Sequence, residues 1–277
     1  MIFTITWVFH TSRHAVPLEL PNAVAADDSG AMGYCWQAAS GRFLLRTGSR
    51  AGRFLVEDGK RVIIERNPAG EDAMIVFHLL HSVMAAVLRQ RGRLVLHASA
   101  AATPDGAVVL SGKSGAGKST TLAALLQRDC DMIADDVTVL SPGAAGRVEV
   151  LPGVAQMHLW EDAAGRLSLD ISELATHPVR RGKSAVPAAI GVTGTLPLRA
   201  VFLLERNGVE RLQVSSLAGA DKLTALLDCV YGPMLQGEHS GQFRLFSATA
   251  EQVAFHRIVR PKERWTVDEV VEVVLRG

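Results

Sequence analysis

Gly112-Lys113-Ser114-Gly115-Ala116-Gly117-Lys118-Ser119 is the stretch on which the reading of this chain turns. It matches G-x-x-x-x-G-K-[ST] at every fixed position, the spacing of a phosphate-binding loop. The residue types follow from the chemistry. Glycines let successive backbone N–H groups curl around phosphate oxygens without a Cβ in the way. A helix that starts at the loop aims its positive end at the same charge. Lys118 would then reach the β- and γ-phosphates, and the Ser119 hydroxyl would face Mg²⁺. The flanks agree. Ala107-Val108-Val109-Leu110 is an apolar strand before the loop, and a helix is expected from about Lys118 to Gln127, taking in Thr120. Upstream, Leu94-Val95-Leu96-His97-Ala98-Ser99-Ala100 reads as a buried strand, and Thr103-Pro104-Asp105-Gly106 as a turn.

Downstream, Met132-Ile133-Ala134 makes a short strand that stops at Asp135-Asp136. In a strand–loop–helix–strand unit the two strands run parallel, and ligands sit at their carboxyl ends. The two aspartates should therefore project toward the phosphates. Adjacent carboxylates are costly unless a metal or a proton compensates them. One could hold Mg²⁺, and the other could accept a proton from a hydroxyl nucleophile. His97 is placed by the hairpin: a turn centred between Pro104 and Asp105 sets it opposite Gly112, the first residue of the loop.

Composition bounds the rest. The 277 residues are 48% hydrophobic, 21% charged and 5% aromatic, as in ordinary globular proteins. Lys and Arg total 29 against 28 for Asp and Glu, a net charge of +1, which argues against a general nucleic-acid binder. Only six residues are lysine, and Lys113, Lys118 and Lys183 lie in or near the proposed phosphate site. The three cysteines, Cys35, Cys130 and Cys229, are widely spread, with no CxxC pair; a disulfide framework or zinc cage is not expected and a reducing cytoplasm fits. Met1–Phe9 is apolar without a basic n-region, and reads as a strand. The longest apolar stretch, Ala73–Leu88, is expected to be too short to span a bilayer. A soluble cytoplasmic chain, off the membrane, follows as the expectation.

Residues 1–70 look β-rich: Phe43-Leu44-Leu45, Phe54-Leu55-Val56 and Val62-Ile63-Ile64 are short apolar runs, the last two joined by Asp58-Gly59. From 71 the period becomes helical, through Met74, Phe77, Val83, Met84 and Val87, to a stop at Arg91-Gly92. His78 and His81 sit at i, i+3 on this helix and read as packed core histidines. Residues 141–197 are punctuated by Pro and Gly and resist assignment. Ala200–Leu204 is a strand, Ala220–Leu227 a helix, and Thr266 with Glu269 a capping box for a last helix. The expected division is a β-rich module over 1–90, ending in a helix, and an α/β phosphate-loop domain with a mixed sheet over 91–277.

These residues resemble the HPr kinase/phosphorylase superfamily. In that group the acidic motif follows on the very next strand, as Ala134-Asp135-Asp136 does here, and a His precedes the loop, as in Leu96-His97-Ala98-Ser99. Pro178-Val179-Arg180-Arg181-Gly182-Lys183 is similar to the family's Pro-Val-Arg-Pro-Gly-Arg segment. The resemblance covers about residues 90–205 and is strongest over 94–136. It implies that the loop residues, with Arg180, Arg181 and Lys183, bind ATP or another NTP, that Ser119 and Asp136 bind Mg²⁺, that Asp135 is the general base, and that His97 and Lys118 act beside it. Homo-oligomers occur in the family. The long Glu-Val-Arg-Gly signature is missing: the region reads Val148-Glu149-Val150-Leu151-Pro152-Gly153, then Leu159-Trp160-Glu161-Asp162, with Glu161 as candidate for a second Mg²⁺ carboxylate. Its loss bears on the phosphorylase reaction and on an HPr-like substrate. The shorter pattern is similar to the kinases that tailor lasso peptides, which implies a Ser hydroxyl on a peptide or protein as acceptor. A small hydroxylated metabolite or an HPr-like protein as acceptor, and a nucleotide-gated regulator without catalysis, are the alternatives.

Overall fold

The computed structural model describes residues 6–9, 16–21, 24–28, 34–39, 41–47, 51–154, 156–178, 180, 182–188, 192–232 and 240–277, with backbone alone for 6–9, 24–28, 34–37 and 240–241. The chain forms two compact units, Met1–Arg93 with Gly232–Phe243, and Leu94–Tyr231 with Arg244–Gly277. The division differs from the expected 1–90 and 91–277 in that 91–93 and 232–243 group with the first unit.

In the first unit, alternating apolar runs build one six-stranded sheet. Its strands are β1 (Thr6–Phe9), β2 (Val24–Asp28), β3 (Tyr34–Ala39), β4 (Arg42–Arg46), β5 (Gly52–Glu57) and β6 (Arg61–Arg66), in the order β1-β6-β5-β4-β3-β2. The pairs are antiparallel apart from β1 with β6. Asp58 and Gly59 join β5 to β6 with φ of 50° and 62°, and the Lys60 N–H donates to the Glu57 carbonyl at 2.9 Å. Leu44, Leu55 and Ile63 line one buried face with Val16 and Leu20. Of the N-terminal strand expectation, Met1–Ile5 lies outside the described residues.

A long helix follows, as α1 (Asp72–His78), a π-helical turn (Leu79–Val83) and α2 (Met84–Gln90). It stops at Gly92, φ 74°, where the Gly92 and Arg93 N–H groups donate back to Arg89 and Leu88. The 19-residue stretch Asp72–Gln90 holds an apolar window of mean hydropathy 1.4 and by length and composition is long and apolar enough to cross a membrane, which corrects the expectation from Ala73–Leu88. The π-turn fuses two short helices, and 44% of the apolar window is buried inside the protein. His78 is buried against Phe54 and Phe77, and His81 Nδ1 lies 2.7 Å from the Phe77 carbonyl.

The second unit is mixed α/β. Its elements are β7 (Leu94–Leu96), β8 (Ala98–Thr103), β9 (Gly106–Ser111), α3 (Lys118–Leu126), β10 (Asp131–Ala134), β11 (Thr138–Pro142), β12 (Val148–Leu151), β13 (Gln156–Trp160), α4 (Glu161–Arg166), β14 (Lys183–Pro187), β15 (Leu196–Asn207), β16 (Gln213–Ser216), α5 (Ala220–Cys229), α6 (Ser240–Gln252), β17 (Ala254–Pro261) and α7 (Val267–Arg276). The main sheet runs β10-β8-β9-β15-β12-β11-β7, with β17 beside β15 and β16 beyond it; β13 and β14 form a separate ribbon.

Both faces of this sheet are covered, so its central strands read as continuous apolar runs. Val108 and Leu110 of β9, with Phe202 and Leu204 of β15, pack against Leu122 and Leu125 of α3 and Val270 and Val274 of α7. Val109 and Val201 face the other way, onto Leu226 and Phe255. Each such fully buried side chain stabilises the fold by about 1.5–3 kcal/mol.

Three details refine the expectations. The run Leu94–Ala100 is two strands, because the chain breaks step at His97, whose N–H donates to the Cys229 carbonyl at 2.7 Å. Strand β10 is parallel to β9, as expected, but β8 lies between them, antiparallel to each. Thr266 stands at the N-cap of α7, yet its hydroxyl makes no cap hydrogen bond, and Glu269 pairs instead with Arg264.

Candidate phosphate site

The register of β8 and β9 pairs Ala98 with Ser111 and Thr103 with Gly106. That is the register the hairpin reading assumed, and it ends one residue short of His97 and Gly112. Gly112 opens the loop at φ 142°, and a Cβ there would collide with the backbone carbonyl of Leu204 in β15. Only glycine passes at this height of the sheet. The loop turns through Gly115 at φ 82° and Gly117 at φ 101°, and Gly117 caps α3. Lys113, Ser114 and Gly115 are exposed, while Ala116 and Lys118 are buried and Thr120 is half-buried.

Lys118 is 6% exposed. Its Nζ donates to the Gly112 carbonyl at 2.8 Å and lies 3.3 Å from His97 Nε2. On its other side, His97 Nδ1 is 3.2 Å from the Asp136 carbonyl oxygen. A neutral imidazole with its proton on Nδ1 satisfies both contacts, donating to Asp136 and accepting from Lys118. Burial and the Lys118 charge hold His97 below its usual value, in keeping with that neutral form. Burial lowers Lys118 as well, against the opposing pull of Asp136 and Asp135.

Asp135 directly follows β10, and its carboxylate gathers three donors. Ser99 Oγ donates to Oδ1 at 2.6 Å, Ser119 Oγ donates to Oδ1 at 3.1 Å, and the His158 N–H donates to Oδ2 at 3.1 Å. Burial, followed by the Asp136 charge, pushes its carboxyl up to about 6, and the Ser99 and His158 hydrogen bonds hold the rise back. Asp136 takes the left-handed conformation, φ 62°. Its carboxylate lies 3.8 Å from His158 Nδ1. The hydroxyl of Ser119 thus meets the Asp135 carboxylate.

The segment after the ribbon helix also reaches the loop. Arg180 Nη1 donates to Ser114 Oγ at 2.6 Å, and the Arg180 N–H donates to His177 Nδ1 at 3.0 Å. Lys183 is buried, with Nζ 5.6 Å from the centre of the Trp160 ring, and its charge bears on Asp135 and Lys118. Arg181 and Val179 lie outside the described residues. Glu161 is exposed at the start of α4.

Four participants went unread in the sequence. Ser99, His158, His177 and Arg260 all reach the site. Ser99 could have been suspected, since it sits two residues from His97 on a strand edge. His158, His177 and Arg260 carry no local signal, because they meet the loop and the acidic pair only across the fold.

The donor set suits the groups the sequence implied. Ser119 Oγ and two carboxylates are hard oxygen donors of the kind Mg²⁺ takes. Burial, and after it the Asp136 charge, raise the Asp135 carboxyl, and a cation beside it would favour the ionised form. Three glycines at positive φ, a buried lysine and a helix N-terminus make a cradle for phosphate.

Comparison with known proteins adds little. No protein-family model matches the chain, and no curated protein does. Among solved structures, the chain is similar to the Hpr(Ser) kinase/phosphatase from Coxiella burnetii, at 13% identity and a TM-score of 0.36, over 66% of this chain and 93% of that one. A likeness at this level leaves the chemistry to be argued from the residues themselves.

Proposed function

We propose that this protein is a phosphotransferase of the HPr kinase type, which moves the γ-phosphate of ATP to a serine hydroxyl on a peptide or protein, most similar to the kinases that tailor lasso-peptide precursors. The observation that carries the reading is the convergence of Lys118, Ser119, His97 and the Asp135–Asp136 pair at one end of β9 and β10.

The loop Gly112–Ser119 binds the nucleotide phosphates. Mg²⁺ would be held by Ser119 and Asp136, with Asp135 Oδ1 at hydrogen-bond distance from Ser119 Oγ. When bound, it neutralises charge on the β- and γ-phosphates. Asp135 takes the proton of the attacking hydroxyl; a carboxyl raised to about 6 is a better base than an ordinary aspartate and is still ionised at neutral pH. As the proton leaves, the serine Oγ–phosphorus bond forms, the bond from phosphorus to the β–γ bridging oxygen breaks, and ADP departs. Lys118, with Arg180 and Lys183, offsets the charge on the moving group. His97 keeps Lys118 oriented between the loop and Asp136.

Mass spectrometry of candidate peptides incubated with MgATP tests the acceptor, with sugars and free amino acids as competing substrates. Asp135→Asn should abolish transfer while nucleotide still binds. Full transfer by that variant would remove Asp135 from the base role, and phosphorylation of a small metabolite alone would replace the peptide.

A further inference from the structure

Arg260 is the one strongly buried guanidinium that approaches the phosphate loop among the described residues. It sits near the end of β17, 5% exposed, and its Nη1 donates to the Ala116 carbonyl at 3.3 Å across a sequence gap of 144 residues. A Cβ on Gly117 would collide with the same Nη1, so the guanidinium lies directly against the N-cap of α3. Its Nε is buried and has no hydrogen-bond partner among the described residues. The charge that bears on it is another cation, Arg206, its neighbour across β15. A buried cation is costly unless an anion or several acceptors compensate it. One carbonyl and a like charge do not supply that compensation.

The peptide plane says what the contact accomplishes. In a trans peptide the carbonyl oxygen and the following N–H point to opposite sides. Arg260 holds the Ala116 oxygen toward β17. The Gly117 N–H is thereby turned away from β17. Freed from that contact, the same peptide could flip and point an oxygen at the phosphates, where it would repel them. Gly117 has to be glycine for two reasons: its φ of 101°, and the guanidinium that occupies the place of a side chain.

We propose that Arg260 is a positioning residue for nucleotide binding, which fixes the Ala116–Gly117 peptide so that the Gly117 N–H is presented to the β-phosphate of a nucleoside di- or triphosphate, and whose own buried charge is compensated when that anion arrives. This rests on the nucleotide-site reading above. It adds a residue from the C-terminal strand that the motif does not contain.

Calorimetric titration of the full chain with ADP and Mg²⁺ tests it. Arg260→Met should weaken ADP binding about tenfold or more, the usual consequence of losing a charge-assisted contact. Arg260→Lys, which keeps the charge and one donor, should recover most of that loss. Equal affinity in wild type and Arg260→Met overturns the assignment of Arg260 and leaves the nucleotide site standing. Failure of the wild-type protein to bind ADP overturns the nucleotide-site reading, and this inference with it. A second measurement needs no variant. In protein labelled with ¹⁵N-glycine, the Gly117 amide resonance should move strongly downfield as ADP saturates. A Gly117 amide that stays put while ADP binds also overturns the proposal.

Discussion

The loop between β9 and α3 and the ribbon of β13 and β14 both serve Asp135, and they do so by different physics. The loop delivers the Ser119 hydroxyl from within a contiguous motif whose residue types are dictated by backbone sterics. The ribbon delivers a main-chain N–H, that of His158, which any residue but proline would supply. The first contribution leaves a mark in the sequence and the second leaves none. A site assembled from both kinds is only half visible to motif reading. The hidden half still adjusts the chemistry, because the His158 hydrogen bond restrains the rise of the Asp135 carboxyl.

The sharpest way to separate the two regions is to strip the loop of its charge. Lys118→Ala should lower nucleotide affinity about 100-fold, the scale of one or two hydrogen bonds to a charged group, as read by calorimetry. Retained affinity would move the phosphate site off the loop. Next in size is Gly112→Ala. A methyl group forced against the Leu204 carbonyl at φ 142° should cost about 1–3 kcal/mol of stability, seen as a fall in Tm. An unchanged Tm would mean that the loop and β15 do not approach each other as closely as described.

For the ribbon, His158→Pro is the matching change. The His158 N–H points out of the β13–β14 pair to Asp135, so proline removes that bond and no ladder bond. It should cost about 1–3 kcal/mol and raise the Asp135 carboxyl further, measured by carboxyl NMR titration. His158→Ala, which keeps the N–H, should leave that titration closer to wild type. The smallest effect is expected from Asp136→Asn. Removing the neighbouring charge should bring the Asp135 carboxyl down from about 6 toward 3.8. The folded state holds the Asp135 proton more tightly than the unfolded chain. The stability this contributes is therefore present below about pH 4 and lost as pH rises to about 6. Asp136→Asn should narrow that window in denaturant unfolding followed across pH.

Local rules carried the reading as far as residues close in sequence interact. The glycine spacing of 112–117, the apolar strands on either side of it, the Asp58-Gly59 hairpin and the helical stop at Gly92 are decided by φ/ψ sterics and by period, which a sequence displays directly. The pairing of Ala98 with Ser111 followed from hairpin register alone. Between residues 141 and 197, proline and glycine hid β12, β13 and β14, because short strands owe their existence to partners rather than to propensity. Partner choice at the site was equally out of reach. That Asp135 receives the Ser119 hydroxyl and the His158 N–H together depends on a ribbon 23 residues further on. The seat of Arg260 depends on β17 lying parallel beside β15. Residue types for the phosphate loop are thus legible from sequence because covalent neighbours impose them, whereas the carboxylate's donors and the guanidinium behind the loop exist only because long-range sheet pairing brings distant groups to one end of β9.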